Sequence, residues 1–294
     1  MKFFYKENED KYCEVMGRAF FYFVYGLVDT FYLIYRFLKI TIINRRCFFI
    51  NHFEIADGED IGILANGPSL NKVLRDENKI DIPTCAMNFF GNTDEFLRIR
   101  PRYYCIVDPR FINQSDRNDI KSLFAVFNEK VDWNMTLYID ADFSLSKFLK
   151  SSSIENKNIN VIPVNLSAYE GFHCLDNFFY DINFASPIIG TVAVMCIFVA
   201  IKMGYKKIHL YGVEHNFFDG MFVDKDNILC ATIKHFYDKD SSVKKLKEYT
   251  VESYIEDKVL MFKGHRLVAQ YAKHKNVEIL NHTINSWIDV YKKC

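Results

Sequence analysis

The chain has 294 residues, half of them hydrophobic, and its 37 basic and 37 acidic side chains leave no formal net charge. That length buries one good-sized core plus an extension, and the charge balance offers no global field to a polynucleotide, so no nucleic-acid partner is expected. The eight cysteines show no CxxC pair or other metal spacing and read as reduced core thiols of a cytoplasmic protein, not as a disulfide framework or a zinc site.

Residues 1–58 differ from the remainder. From Ala19 to Ile43 the chain is dominated by Phe, Tyr, Leu, Ile and Val, interrupted by Asp29, Arg36 and Lys39 and closed by Arg45-Arg46. A spanning helix needs about 20 predominantly apolar residues, and a charge at mid-span costs roughly 2.5–3.5 kcal/mol on insertion scales. Asp29 therefore favours a helix or helical hairpin lying on a membrane surface, with a partner-binding or homo-oligomerising helix and, last, a true span as the alternatives. No small-residue cleavage site follows the segment, and its early acidic residues do not suit a signal peptide.

Residues 59–294 are expected to form one α/β domain. Ile61-Gly62-Ile63-Leu64 is short and apolar, as in a parallel strand buried on both faces. Asn66-Gly67-Pro68-Ser69 then turns the chain into a helix over 70–75. Ser69 is placed to cap that helix, so that backbone N–H groups and the positive end of the dipole would face an anion above the strand. Open α/β sheets bind nucleotides at such a place, although an ordinary strand-to-helix turn looks the same.

Further strands are expected at 79–87, 101–107, 160–164, 208–211 and 277–280, and helices at 116–127, 143–150, 192–203 and 263–274. The alternation predicts a Rossmann-like, mostly parallel sheet with helices on both faces, joined to an N-terminal apolar helical extension. Gly190-Thr191 opens the most apolar helix, Gly204 ends it, and the strand at 208–211 stops at Gly212, which makes a β-α-β crossover. Between 216 and 258 the apolar periodicity weakens, giving either a lid-like insertion or a solvated excursion.

Asp140-Ala141-Asp142 imitates the paired carboxylates that hold Mg²⁺ on sugar-nucleotide phosphates, but just ahead of Phe143 it reads as a helix-start cluster. His209 lies inside a strand, and His173, His274 and His282 have no companion motif, so all four read as structural. Lys244-Lys245-Leu246-Lys247 reads as a solvated helix face, with anionic lipid or a phosphorylated acceptor as the alternative.

Taken together, the segments 61–70 and 186–215 resemble the bacterial lipooligosaccharide sialyltransferases, which use a CMP-activated sugar donor. Through Gly67-Pro68-Ser69-Leu70 they also resemble a wider group of surface-polysaccharide proteins. The resemblance implies metal-independent transfer of sialic acid or a related ulosonic acid, with no cofactor, from a CMP-sugar to a cell-surface glycan or lipid-linked acceptor. It also implies a cytoplasmic enzyme peripheral to the inner membrane. Carried over residue by residue, it implies donor contacts from Asn66, Gly67 and Ser69, from Asn88 after the next strand, and from Thr191, with Gly190 displaced relative to the family's glycine. Asp108 stands where the family has a third asparagine. A carboxylate accepts from a ribose hydroxyl but repels phosphate, so Asp108 is expected on the sugar side.

Transfer from such a donor passes through an oxocarbenium-like state while charge grows on the departing phosphate, which calls for hydrogen-bond donors there and a base for the acceptor hydroxyl. The family's two phosphate-binding tyrosines fall at Asn216 and near Phe222, and a phenylalanine cannot donate. Asn216 or Tyr237 is left for the phosphate. The family's base is a histidine beyond that loop, for which His235 is the first choice, His215 the second and His265 the third.

Two other classes stay open. The same turn resembles the archaeal-type hydroxymethylpterin diphosphokinases, which would require Asp108, Asp140 or Glu214 to hold metal for ATP-dependent pyrophosphoryl transfer. The missing tyrosines and the apolar N-terminal segment also fit a non-catalytic polysaccharide-assembly protein.

Overall fold

A computed structural model describes residues 2–50, 52–75, 80–238 and 242–294. It opens with one continuous helix, α1 (Lys2–Asn44), in place of the hairpin alternative. Its second half docks on the domain through a stripe that includes Gly26, Thr30, Leu33, Phe37 and Ile40, the spacing of one helix face. Polar contacts fix the register. Asp29 accepts the Glu170 N–H at 2.9 Å, Thr30 Oγ1 meets the Tyr169 hydroxyl at 3.0 Å, and Arg36 pairs with Asp142. Asn44 donates to the Ala141 carbonyl at 2.8 Å and accepts from the Leu145 N–H at 2.9 Å. The other faces are open, with Phe20, Phe21, Tyr22, Phe31 and Tyr35 all 62–70% exposed. Among the described residues no helix is long and apolar enough to cross a membrane.

The domain is built on an eight-stranded sheet. β1 (Asp60–Leu64), β2 (Thr84–Met87), β3 (Tyr103–Ile106), β4 (Met135–Asp140) and β5 (Ile159–Val164) lie side by side in chain order. Helices α2 (Leu70–Leu74), α3 (Asp94–Ile99), α4 (Arg110–Asn113), α5 (Asn118–Lys130) and α6 (Leu145–Ser152) connect them. After α7 (Asp176–Asp181), α8 (Val192–Met203) carries the chain back to the other side of β1, where β6 (Lys207–Tyr211) pairs with it. A small antiparallel sheet of β7 (Phe222–Val223), β8 (Leu229–Ile233) and β9 (Ser242–Lys245) follows, then α9 (Val251–His274), β10 (Glu278–Asn281) and β11 (Lys292–Lys293). The main order is β11-β10-β6-β1-β2-β3-β4-β5, and every pairing in it is parallel. The strand order reverses between β1 and β6, so the crevice beyond their carboxyl ends is the switch point where such sheets bind ligands.

The chain packs apolar layers on both faces of the sheet. Every residue of α8 except Lys202 is buried, as expected of a helix that is hydrophobic all round. The Lys202 ammonium caps α7 by donating to the carbonyls of Tyr180 and Asp181 at 2.7 and 2.9 Å, and burial pulls its pKa down to about 8. Gly204, with φ +101°, ends the helix in the left-handed region. α9 lies so close to the segment entering α8 that a Cβ on Gly190 would stand 2.6 Å from the Met261 backbone, and one on Gly264 would stand 2.4 Å from the Ile188 carbonyl oxygen.

Several expectations need correction. The strand expected at 79–87 is ordered as β2 only from Thr84, because Pro83 has no N–H to give to a ladder; Lys79 lies outside the described residues. β4 was not anticipated. α9 begins at Val251 rather than Lys263, because Thr250 and Ser253 exchange the hydrogen bonds of a capping box. Lys244 and Lys245 stand on β9, not on a helix, since pairing with β8 and an ion pair from Lys245 to Asp224 at 2.7 Å fix them there. The stretch 216–258 is organised around an apolar cluster of its own that includes Leu229, Ala231, Leu246 and Tyr254. Asp140 does begin a short helical turn, accepting the Asp142 N–H at 3.0 Å.

The close packing of α9 gives a stability test. Gly264→Ala is expected to lower the unfolding free energy by about 1–3 kcal/mol, the usual cost of overpacking against backbone. A urea midpoint equal to that of the parent would show that α9 can lift away at no cost.

Candidate active site

The switch point is closed by contact between two strand ends. Beyond β1, the Ala65 N–H donates to the Tyr211 carbonyl and the Gly67 N–H to the Gly212 carbonyl, both at 2.9 Å. Glu214, buried just past Gly212, accepts the Ser69 N–H at 2.6 Å. Its carboxylate leaves no room beside Gly67, where a Cβ would stand 1.6 Å from Oε2. Ser69 was expected to cap α2 and does not: its side chain makes no capping bond. The Glu214 carboxylate takes that place, as a negative charge at a helix N-terminus should. The turn is therefore no open phosphate cradle, because a carboxylate of the chain already fills it.

The cleft beside this contact is lined by Asn66, Gly67, Asn88, Thr191, Glu214, His215, Asn216, Lys234 and His235, among others. Asn66 donates weakly to the Met87 carbonyl at 3.4 Å. Asn88 follows β2 in the left-handed region with φ +50°, a conformation asparagine tolerates, and the Tyr104 hydroxyl holds its carbonyl at 2.5 Å. Buried polar atoms without a hydrogen-bond partner among the described residues gather here: Oδ1 of Asn66, Oδ1 of Asn88, Oγ of Ser69 and Oε2 of Glu214. Asn216 gives its amide to Asp219 at 2.6 Å, and Lys234 brings an exposed cation to the rim.

His235 is held across the cleft from the turn. The Phe236 N–H donates to the Asn66 carbonyl at 2.9 Å, and Asn71 returns its amide to the Phe236 carbonyl at 2.5 Å. Asp238 receives both the His235 backbone N–H, at 2.8 Å, and the ring Nδ1, at 3.0 Å. Burial pushes the Asp238 carboxyl up, and these bonds more than offset it, so the group lies below the usual range. With the proton assigned to Nδ1 by this partner, Nε2 keeps a lone pair. Tyr237 stacks on the imidazole at 5.0 Å and 6°.

The other two histidines are neutral packing partners. His215 turns with φ +52°, and its ring lies 4.9 Å from that of His265. Burial, then the Lys258 charge, lowers its pKa to about 3. His265 is almost wholly buried, meets the Tyr291 hydroxyl at 2.8 Å through Nδ1, and is held well below the usual range by burial and by His215.

Of the residues expected at the site, the fold brings Asn66, Gly67, Asn88, Thr191, His215, Asn216 and His235 to one cleft. Ser69 adjoins it through Glu214, and Tyr237 backs His235. Gly190 packs against α9 instead. Asp108, beyond β3, is engaged by Arg110 through Nε at 2.8 Å. Sequence reading gave no role to Asp238, Asn71 or Lys234. Asp238, three residues after a candidate base, was the one with a local signal.

No family model and no curated relative matches the sequence. In structure the chain is similar to the sialyltransferase CstII from Campylobacter jejuni in complex with a substrate analogue, CMP-3FNeuAc. That likeness has 17% identity, 80% of this chain and 86% of that chain covered, and a TM-score of 0.42. It is similar to the sialyltransferase CST-II in complex with trisaccharide acceptor and CMP, with 16% identity, 80% and 85% covered, and a TM-score of 0.42. It is also similar to the monofunctional alpha-2,3-sialyltransferase Cst-I from Campylobacter jejuni, with 14% identity, 83% and 82% covered, and a TM-score of 0.42.

The buried histidines predict an acid-sensitive fold. Because their folded pKa values are depressed, the stability they permit is complete above about pH 6.5 and is lost as pH falls below it, when only the unfolded chain takes up their protons. Each contributes a slope of up to about 1.4 kcal/mol per pH unit. Urea melts between pH 7 and 5 should show His265→Gln to be less pH-sensitive than the parent; equal slopes would place the acid sensitivity elsewhere.

Proposed function

We propose that the chain is a glycosyltransferase that moves sialic acid or a related ulosonic acid from a CMP-sugar to a cell-surface glycan or lipid-linked acceptor, without metal or other cofactor. The observation that carries this reading is the His235–Asp238 pair, hydrogen-bonded through its loop to Asn66 and facing a cleft with unpartnered polar atoms. Asp238 orients the imidazole, and Nε2 takes the proton of the incoming hydroxyl. Asn66 and Asn88 offer their free oxygens to donor groups of the nucleotide. Glu214 Oε2 does the same, which keeps the phosphate away from the turn and toward Thr191, Asn216 and the Lys234 ammonium, where departing charge would be stabilised. Pyrophosphoryl transfer has less support. Asp108 is taken by Arg110, Asp140 caps a turn and Glu214 caps α2, so each carboxylate that would hold a metal already has a partner in the chain.

In this reading the enzyme works in the cytoplasm at the inner-membrane surface. α1 supports it by presenting exposed aromatic side chains followed by Arg45 and Arg46, a composition suited to the headgroup boundary. A second copy of the chain is the other candidate cover. Replacing Phe20, Phe21 and Phe31 together by Ser should leave the domain folded and abolish co-sedimentation with anionic vesicles. Undiminished vesicle binding by that variant, or a change only in oligomeric mass, would sink the membrane role.

Two substitutions test the chemistry. Asn66→Ala should weaken CMP binding by roughly 1–3 kcal/mol in calorimetry, the cost of an unpaired polar partner, with UMP and ATP/Mg²⁺ run in parallel. His235→Ala should lower kcat at least about a hundredfold while CMP affinity stays near the parent value. Near-normal turnover would falsify the assignment of His235 as base, and tighter binding of ATP/Mg²⁺ than of CMP would replace the donor class.

A further inference from the structure

The sequence holds three cysteines far apart in the chain that the fold brings to one point. Cys85 lies on β2, Cys105 on β3 and Cys196 on α8, none more than 1% exposed. Their sulfurs all lie within 4.8 Å of one another, and those of Cys85 and Cys105 are 3.7 Å apart. We infer that Cys85, Cys105 and Cys196 form a binding site for one thiophilic monovalent cation of the copper(I) type, beneath the floor of the cleft.

Strand register argues against a disulfide between the two strand cysteines. Cys85 pairs with Tyr103, and Cys105 with Met87, so the two are offset by two residues. With strands about 4.8 Å apart and a rise of about 3.3 Å per residue, their Cα atoms are about 8 Å apart, beyond the roughly 7 Å that a disulfide can bridge without moving backbone. The side chains nonetheless converge. Three sulfurs at about 2.3 Å from a shared ion form a triangle with sides of about 4 Å, so the present arrangement needs shifts of under about 1 Å.

The donor set selects the ion. Among the described residues no histidine or carboxylate joins the group, and all three cysteines belong to the apolar layer between the sheet and α8. Thiolates select soft metals, and a three-sulfur set with no nitrogen or oxygen partner suits three-coordinate copper(I) better than four-coordinate zinc. Binding forms metal–sulfur bonds and releases thiol protons to solvent. An ion here would tie the strands that lead to Asn88 and Asp108 to the helix that follows Thr191.

The test uses the full-length reduced protein under anaerobic conditions, with Cys13, Cys47, Cys174 and Cys294 replaced by Ser, titrated against the copper(I)–bicinchoninate complex. One equivalent of copper per chain should be withdrawn, with only sulfur neighbours in X-ray absorption and a higher melting temperature. Adding Cys85→Ala and Cys196→Ala should abolish the withdrawal, while adding Cys230→Ala at the separate buried thiol should not. Failure of the parent of this series to withdraw copper, a shell containing nitrogen or oxygen, or equal withdrawal after the core substitutions would show three ordinary packing thiols. Should the core variant fail to fold, stoichiometry and shell composition in the folded background decide alone.

Discussion

Contact between the ends of β1 and β6 is the constraint on which the rest of the site depends. Gly67 must lack a Cβ because the Glu214 carboxylate and the Gly212 carbonyl oxygen stand where it would go. Gly212 must turn at φ +70° so that the chain can bring Glu214 back over the turn. The contact explains why a sequence suggestive of a phosphate loop does not produce one. A carboxylate at the start of α2 satisfies the Ser69 N–H and meets the positive end of the short helix. The same carboxylate repels a second anion, so the turn favours ligand groups that donate hydrogen bonds.

The insertion that carries His235 is fastened to that contact and is not free to hang over the cleft. Two hydrogen bonds join Phe236 to Asn66 and Asn71, and the Phe236 ring packs 5.4 Å from Phe90. A ligand that displaced Asn66 would therefore move His235 with it. The neutral pair is split, with His215 on the cleft lining and His265 buried on α9, their rings facing each other. Burial leaves those rings unable to hold a proton near neutral pH, whereas His235 is half-buried and hydrogen-bonded to the Asp238 carboxylate.

Local signals and long-range placement were not equally legible. The strand 61–64, the turn after it and α8 could be read from the sequence, because apolar length, Gly67-Pro68 and Gly204 act on their immediate neighbours. β4 was missed although Met135–Asp140 is a fully regular strand, since a short apolar run has no period to separate it from a buried helix segment. Lys244 and Lys245 misled because pairing with β8 decided their conformation and their own propensity did not. Glu214 was legible as a carboxylate able to hold metal; that it caps α2 depends on a contact 145 residues away in the chain. The cysteine convergence was invisible for the same reason, as three unrelated elements supply it.

The unpartnered atoms give the cleft an energetic direction. A buried polar atom left without a partner costs about 1–3 kcal/mol, and Asn66, Asn88, Ser69 and Glu214 each hold one such atom. An apolar ligand would leave that cost in place, and a phosphate would add repulsion from Glu214. A ligand edge carrying hydroxyl or amino hydrogens removes it by supplying donors to oxygens already fixed by the strand ends. Under the proposed reading, the ribose diol and the cytosine amino group are such edges. The bonds from the Ser69 N–H to Glu214, from the Tyr104 hydroxyl to the Asn88 carbonyl and from the Phe236 N–H to the Asn66 carbonyl hold these residues in place before any ligand arrives, so less binding free energy is spent on ordering them.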